Sequence, residues 1–283
     1  MEDMLNKESF SAKHFSNLAR FIQENYGIKV PDSKKVMIES RLRRRMRQVG
    51  YCSIDEYLDY AFSPDGRHHE LVNLVDVITT NKTDFFREPS HFDILCNKIL
   101  PRIMSRKSFS TFSTLKVWSA ACSTGEEPYT LAMVLSEFAE RRGGLRYDIL
   151  ASDLSTRVLK KAHSALYSED QVKDIPITLR GKYLLRSKDR ALELVKINDQ
   201  LRNAVTFRRI NLMVDDFGIR EKMHIIFCRN VMIYFTKEDQ ERLVKNFSKV
   251  LADEGFLFLG HSETLATLNI PFIQVMPTIY QKK

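Results

Sequence analysis

Val117-Trp-Ser-Ala-Ala-Cys-Ser-Thr-Gly-Glu-Glu-Pro-Tyr129 carries an apolar strand into a run of small residues and a glycine, and then into a proline. Proline suits the first turn of a helix, where a missing N–H costs nothing. Small side chains at Ser119, Ala120, Ala121, Ser123 and Gly125 let a ligand approach the backbone, which is the shape of a cofactor cradle. The motif lacks the three spaced glycines that seat a pyrophosphate on a helix N-terminus. Glu126 and Glu127 stand where a phosphate would approach, so a cationic ligand fits better. Tyr147-Asp-Ile-Leu-Ala-Ser-Asp153 reads as a second buried strand ending in an acid, and a carboxylate there accepts hydrogen bonds from ribose hydroxyls. Together the two stretches point to a nucleoside that carries a positive group.

Outward from the cradle, strand patterns recur at Leu115 to Ser119, Tyr147 to Ser152, Val205 to Phe207, His224 to Phe227 and Gly255 to Leu259, with helical patterns between them. This alternation predicts a parallel sheet covered by helices. Phe272 to Val275 and Thr278 to Tyr280, on either side of Pro277, predict a closing hairpin at the sheet edge. The connection from the helix near Val158 to Ala165 to the strand at Val205 is too long for a simple crossover, and an inserted subdomain is expected there.

The N-terminal part reads as helical. Phe15, Leu18 and Ile22 form one apolar stripe that Gly27 ends, and Ile38, Leu42 and Met46 form a second, with Arg41, Arg44 and Arg45 on its opposite side. Ser53 and Glu56 form a capping box that starts a third helix, and Ser63-Pro-Asp-Gly66 is expected to break the chain.

The 283 residues are 43% hydrophobic, enough for one large or two modest cored domains. No apolar run approaches the roughly 18 residues of a membrane span, and the N-terminus is polar, so a cytoplasmic protein is expected. Four scattered cysteines with no C-x-x-C pair indicate neither a zinc site nor a disulfide framework. The net charge of +8 is concentrated locally: an arginine run from Arg41 to Arg47, and residues 180–209 with 9 basic and 3 acidic side chains. An anionic partner follows.

Four motifs, in this order, resemble the chemotaxis receptor methyltransferases, the CheR family: Thr80-Asn-Lys-Thr-Asp-Phe-Phe-Arg-Glu88, Trp118 to Pro128, Ala151-Ser-Asp-Leu-Ser155, and Phe227-Cys-Arg-Asn-Val-Met-Ile-Tyr-Phe235. The resemblance implies an all-helical N-terminal domain (1–75) and a linker (76–109) that contributes to the cofactor site. A Rossmann-like methyltransferase domain (110–283) would follow, with a small antiparallel β-subdomain inserted at about 168–204. It implies S-adenosyl-L-methionine as donor, S-adenosyl-L-homocysteine as product, and glutamate carboxylates on the cytoplasmic helical bundle of chemoreceptors as acceptors. The enzyme is expected to be a monomer that neither binds nucleic acid nor inserts into membranes.

By motif, Asn81, Thr83, Arg87, Ala121, Glu127, Asp153, Asn211, Leu212, Arg229 and Asn230 are implied to line the cofactor site, and Arg87 and Tyr234 to face the reacting methyl group. Arg41, Arg44 and Arg45 are expected to dock the acidic receptor. Some family members bind a receptor C-terminal pentapeptide through a glycine-containing loop. Here Leu184 to Leu192 contains no glycine, which argues for docking without that tether.

Simpler readings weigh against some features. An arginine run is ordinarily a solvated helix face, and acids in a first helical turn complement its dipole. Phe85, Phe86 and Phe92 read as packing between linker and sheet rather than as a base-stacking platform, and His261 is assigned no chemistry. A nucleic-acid methyltransferase would need an amine-activating Asn-Pro-Pro-aromatic motif, which the chain lacks. A binding protein that had lost turnover would not need Arg87 and Tyr234.

Overall fold

The computed structural model describes residues 10–79, 81–106, 109 and 113–283; Thr80, the first residue of the linker motif, lies outside them. Two compact units result. One comprises the described residues before Asn81 with Tyr234–Asp239, the other Asn81–Ile233 with Gln240–Lys283.

The first unit is helical. α1 (Ala12–Tyr26) is capped by Ser11, whose Oγ accepts from His14 N, and it ends at Gly27 in the left-handed region with φ 70°. α2 (Lys35–Gln48) buries Ile38, Leu42 and Met46. α3 (Ile54–Phe62) starts at the expected cap, Glu56 N donating to Ser53 Oγ at 3.5 Å. Ser63 does more than break the chain: its Oγ accepts from Gly66 N and starts α4 (Pro64–His69), with the proline at the first position. α5 (Leu71–Ile78) adds Leu74, Val75 and Ile78 to a core shared with Leu18, Ile22, Tyr57 and Leu58.

The second unit opens with a helical run of α6 (Ser90–Ile94), a π turn (Leu95–Ile99) and α7 (Leu100–Met104). Then come β1 (Thr114–Ala120), α8 (Glu126–Arg142), β2 (Arg146–Asp153) and α9 (Thr156–Ser164). After the insertion come β6 (Val205–Arg209), β7 (Met223–Cys228), a helix at Lys237–Val250, β8 (Leu251–Leu259), and the hairpin β9 (Phe272–Met276) and β10 (Ile279–Lys282). The seven strands lie in the order β6-β2-β1-β7-β8-β10-β9. All pairs from β6 to β8 are parallel, and β10 is antiparallel to both its neighbours. The order reverses direction between β1 and β7, and in open sheets of this kind ligands bind beyond the carboxyl ends at that point. Trp118, fully buried in β1, donates from Nε1 to Ser152 Oγ at 2.9 Å and ties β1 to β2.

The insertion is a three-stranded antiparallel sheet, β3 (Leu166–Ser168), β4 (Leu184–Arg186) and β5 (Leu194–Ile197), with β5 in the middle and α10 (Ile177–Tyr183) before β4. Glu193, which follows the glycine-free stretch Leu184 to Leu192 and precedes β5, takes φ 45°.

Candidate cofactor and acceptor site

Beyond the carboxyl end of β1 the chain passes through Ala121 (φ 63°), Ser123 (φ 50°) and Gly125 (φ 98°), three left-handed residues in five, before α8 begins. Tertiary bonds hold this loop in place. Cys122 N donates to Ser152 O at 2.8 Å, Ser123 N to Asp153 Oδ2 at 2.9 Å, and Ser123 Oγ to the Asn81 carbonyl at 3.0 Å. Asp153 Oδ1 accepts from Ser155 N at 2.9 Å. These two backbone bonds orient the carboxylate. Tyr167 of β3 donates to Thr124 O at 2.7 Å and ties the inserted sheet to the cradle.

The two glutamates at the start of α8 differ. Glu126 is buried and its carboxyl is pushed up by burial, while Thr124 Oγ1 lies 2.9 and 2.7 Å from its two oxygens. Glu127 accepts from Ser119 Oγ at 2.7 Å and from Arg229 Nε at 2.7 Å.

Arg229 is the hub. Its side chain is 3% exposed, lies against the rings of Phe92 and Phe227, and donates from Nη1 to the Arg87 carbonyl at 2.8 Å and to His91 Nδ1 at 3.1 Å. Thr278 spends its hydroxyl proton on Pro277 O at 2.7 Å, so its oxygen accepts from Nε2–H of His91 at 2.8 Å. Nδ1 of His91 is then the acceptor for Arg229. Burial, followed by the Arg229 charge, pushes the imidazole down to about 4. Glu88, His91 and His261 bring three potential ligand atoms within 4.8 Å of one another, but Arg229 Nη1, 3.5 Å from Glu88 Oε2, is already the cation of that cluster.

Asn230 (φ 60°) follows β7. Its N–H donates to Glu263 Oε2 at 2.9 Å and its amide to Glu88 Oε1 at 3.2 Å. Glu263 also accepts from Gly260 N at 2.7 Å and Met232 N at 2.8 Å, so one buried carboxylate fixes the turns after both β7 and β8.

The structure thus joins Asn81, Arg87, Glu127, Asp153, Arg229 and Asn230 with the cradle at Ala121. Asn211 and Leu212 follow β6 just after Ile210, whose N–H donates to Asp153 O at 3.1 Å. Thr83 lies half-buried between Asn81 and Arg87. Arg87 donates from Nη1 to Lys82 O at 3.2 Å, one of its five N–H donors. Tyr234 groups with the helical unit: its carbonyl accepts from Lys29 N at 2.9 Å, and Lys34 Nζ lies 4.7 Å above its ring. Phe85 meets Tyr167 edge-on and Phe92 stacks over Phe227, so both rings are packing, as expected.

Arg41, Arg44 and Arg45, the residues expected to dock the receptor, differ in their surroundings. Arg41 Nη1 donates to Val77, Ile78 and Thr79 carbonyls at 3.3, 3.2 and 2.9 Å, closing the C-terminus of α5. Arg45 pairs with both oxygens of buried Glu70 at 2.7 Å. Of the three, Arg44 is the exposed side chain.

The residues fit S-adenosylmethionine: two oriented carboxylates flank a cradle of small residues and suit ribose hydroxyls and an ammonium group. Residues 81–280 match the family described as CheR methyltransferase, SAM binding domain, and residues 13–79 match CheR methyltransferase, all-alpha domain. The chain is 39% identical over 269 residues to the chemotaxis protein methyltransferase of Borreliella burgdorferi, covering 94% of this chain and 93% of that one. It is 34% identical over 277 residues to the chemotaxis protein methyltransferase of Escherichia coli, covering 98% and 93%. Among the described residues no helix is long and apolar enough to cross a membrane.

Proposed function

This chain belongs to the CheR methyltransferase family, and on that premise we propose that it methylates glutamate side-chain carboxylates on the cytoplasmic helical bundle of chemoreceptors. The observation that carries the reading is the path Glu127–Arg229–Arg87, which couples a carboxylate at the cradle to the backbone of an arginine suited to grip another carboxylate.

When bound, S-adenosylmethionine supplies a methyl group on a sulfonium. Asp153 holds the ribose and Glu127 the methionine ammonium; Asn81, Thr83, Ala121, Asn211, Leu212 and Asn230 complete the wall. A glutamate of ordinary pKa near 4.3 is ionised at neutral pH, so no general base is needed. The cofactor would supply its methyl group to a carboxylate oxygen with the thioether as leaving group, so no residue of the chain would have to move a proton. The protein's task is alignment and exclusion of water. Arg87 orients the acceptor through its planar donors, Tyr234 adds a hydrogen bond, and the neutral ester then loses its hold on Arg87. Arg44 contributes positive charge for the acidic receptor, and docking proceeds without a C-terminal pentapeptide.

One assay tests this. Labelled methyl donor is incubated with receptor-enriched membranes carrying receptors with and without the pentapeptide. Base-labile ester on both receptors at similar rates is expected, with single-turnover transfer by Arg87→Ala slowed about 100-fold. Label in nucleic acid, or an unchanged Arg87→Ala rate, overturns the reading; strict dependence on the pentapeptide overturns the tether-free docking alone.

A further inference from the structure

The segment that carries Arg87 is held in a conformation its residues resist. Phe86 and Glu88, on either side of it, have φ of 54° and 56°. A left-handed residue with a side chain is strained, and such turns persist only where the surroundings over-determine them. Phe86 N donates to Thr130 Oγ1 at 3.1 Å, and Arg229 holds the Arg87 carbonyl. The third restraint is Glu88 itself: Oε1 accepts from Asn230 Nδ2 and from His261 N, both at 3.2 Å.

Oε2 of Glu88 is buried with no hydrogen-bond partner among the described residues. It lies 3.4 Å from His91 Nδ1, which has no proton to give, and 3.5 Å from Arg229 Nη1, which attracts it by charge. Burial alone would raise this carboxyl, but the bonds from Asn230 and His261 and the Arg229 charge outweigh it and hold it below its ordinary value. An ionised group has thus been placed behind Arg87, facing away from the cradle carboxylate Glu127 across the same guanidinium.

We propose that Glu88 is a positioning residue: its carboxylate locks the left-handed turn Phe86–Glu88 against Asn230 and Arg229 and so aims Arg87 at the acceptor carboxylate. The inference rests on the acceptor role of Arg87. Glu88 also bonds Asn230 and faces Arg229, both assigned to the cofactor wall, so cofactor affinity is measured beside turnover; Asn230 keeps its backbone bond to Glu263, and the larger loss falls on turnover.

Three variants of the full chain divide the contributions. Glu88→Gly accepts the positive φ and loses the carboxylate; Glu88→Ala loses both; Glu88→Gln keeps an acceptor for Asn230 and His261 but not the charge. Each is measured for receptor methylation, for S-adenosylhomocysteine affinity by calorimetry, and for deuterium exchange in a peptide spanning residues 84–90. Glu88→Gly and Glu88→Ala are expected to lower kcat about tenfold or more, with cofactor affinity changed less than about threefold and exchange about tenfold faster. Glu88→Gln is expected to fall between these and the wild type. Full activity and unchanged exchange in Glu88→Gly would show that only the backbone matters and overturn the proposal, as would loss confined to cofactor affinity. If the wild-type protein methylates no receptor, the functional reading fails, and the exchange measurement alone then decides the assignment of Glu88.

Discussion

At Gly125 a single hydrogen decides whether the cradle closes. A Cβ there would stand 2.8 Å from Tyr167 Oη and 2.9 Å from Ala162 Cβ, at a φ of 98° that side chains resist. Gly125→Ala is therefore expected to cost about 2–4 kcal/mol and to push Tyr167 off Thr124 O. Urea unfolding checks the first, and S-adenosylhomocysteine titration should show weaker binding; wild-type values in both would mean that the loop relaxes freely. The sequence marked this glycine for ligand approach, whereas the nearest constraint is the inserted sheet packed behind it. Ala121 and Ser123 take left-handed φ with no signal in their identities, since neither residue type prefers it. Glu88, His91 and Glu263 carry no local signal for a related reason. Glu88 meets Asn230 across 142 residues of chain, and a lone acid or imidazole shows no spacing until the fold supplies its partner.

At the scale of the element, α2 shows how far periodicity reaches. Its apolar stripe was legible and is buried as read, because helical spacing depends only on local geometry. The opposite side was read as one charged face, yet each arginine ends differently, because what a long side chain reaches depends on neighbouring helices. Arg45 balances Glu70, which Tyr57 also bonds at 2.7 Å and Asn73 at 3.1 Å. Burial alone would raise the Glu70 carboxyl, but the bonds from Arg45, Tyr57 and Asn73 hold it below its ordinary value. Removing Arg45 strands a buried negative charge, so Arg45→Ala is expected to destabilise the protein by about 3–5 kcal/mol. Adding Glu70→Gln should recover part of the loss. Arg44→Ala should change stability by less than about 0.5 kcal/mol while weakening receptor binding most at low salt. Equal losses of stability in the two single variants would contradict this division.

Over the whole molecule, order and type of the elements followed from alternating patterns, and the switch point between β1 and β7 follows from topology. What sequence could not show is that two histidines in the second unit are kept neutral in the fold. His91 is pushed down to about 4 by burial and then by Arg229, and His224 is lowered by burial and then by Arg106 and Lys116 while its Nδ1 accepts from Lys116 N at 2.9 Å. For a histidine lowered by folding, the unfolded chain binds the extra proton between the folded value and 6.5. Stability is therefore complete above 6.5 and is lost as pH falls toward the folded value. From His91 alone the loss reaches about 3 kcal/mol. Glu70 and Glu88, held below their ordinary value of 4.5, add their losses only below that pH, whereas Glu126 and Glu263, raised by burial, take up protons first in the folded chain and oppose the histidines. The histidine contribution is therefore read by urea unfolding as the difference between wild type and a histidine variant, in which the carboxyl contributions cancel. The gap between wild type and His91→Gln should narrow by about 2 kcal/mol from pH 7 to pH 5, and His224→Gln should narrow it in the same direction. A gap for His91→Gln that stays constant with pH would mean that His91 titrates alike in folded and unfolded chains, and that its place behind Arg229 is not the dry, positively biased site the geometry describes.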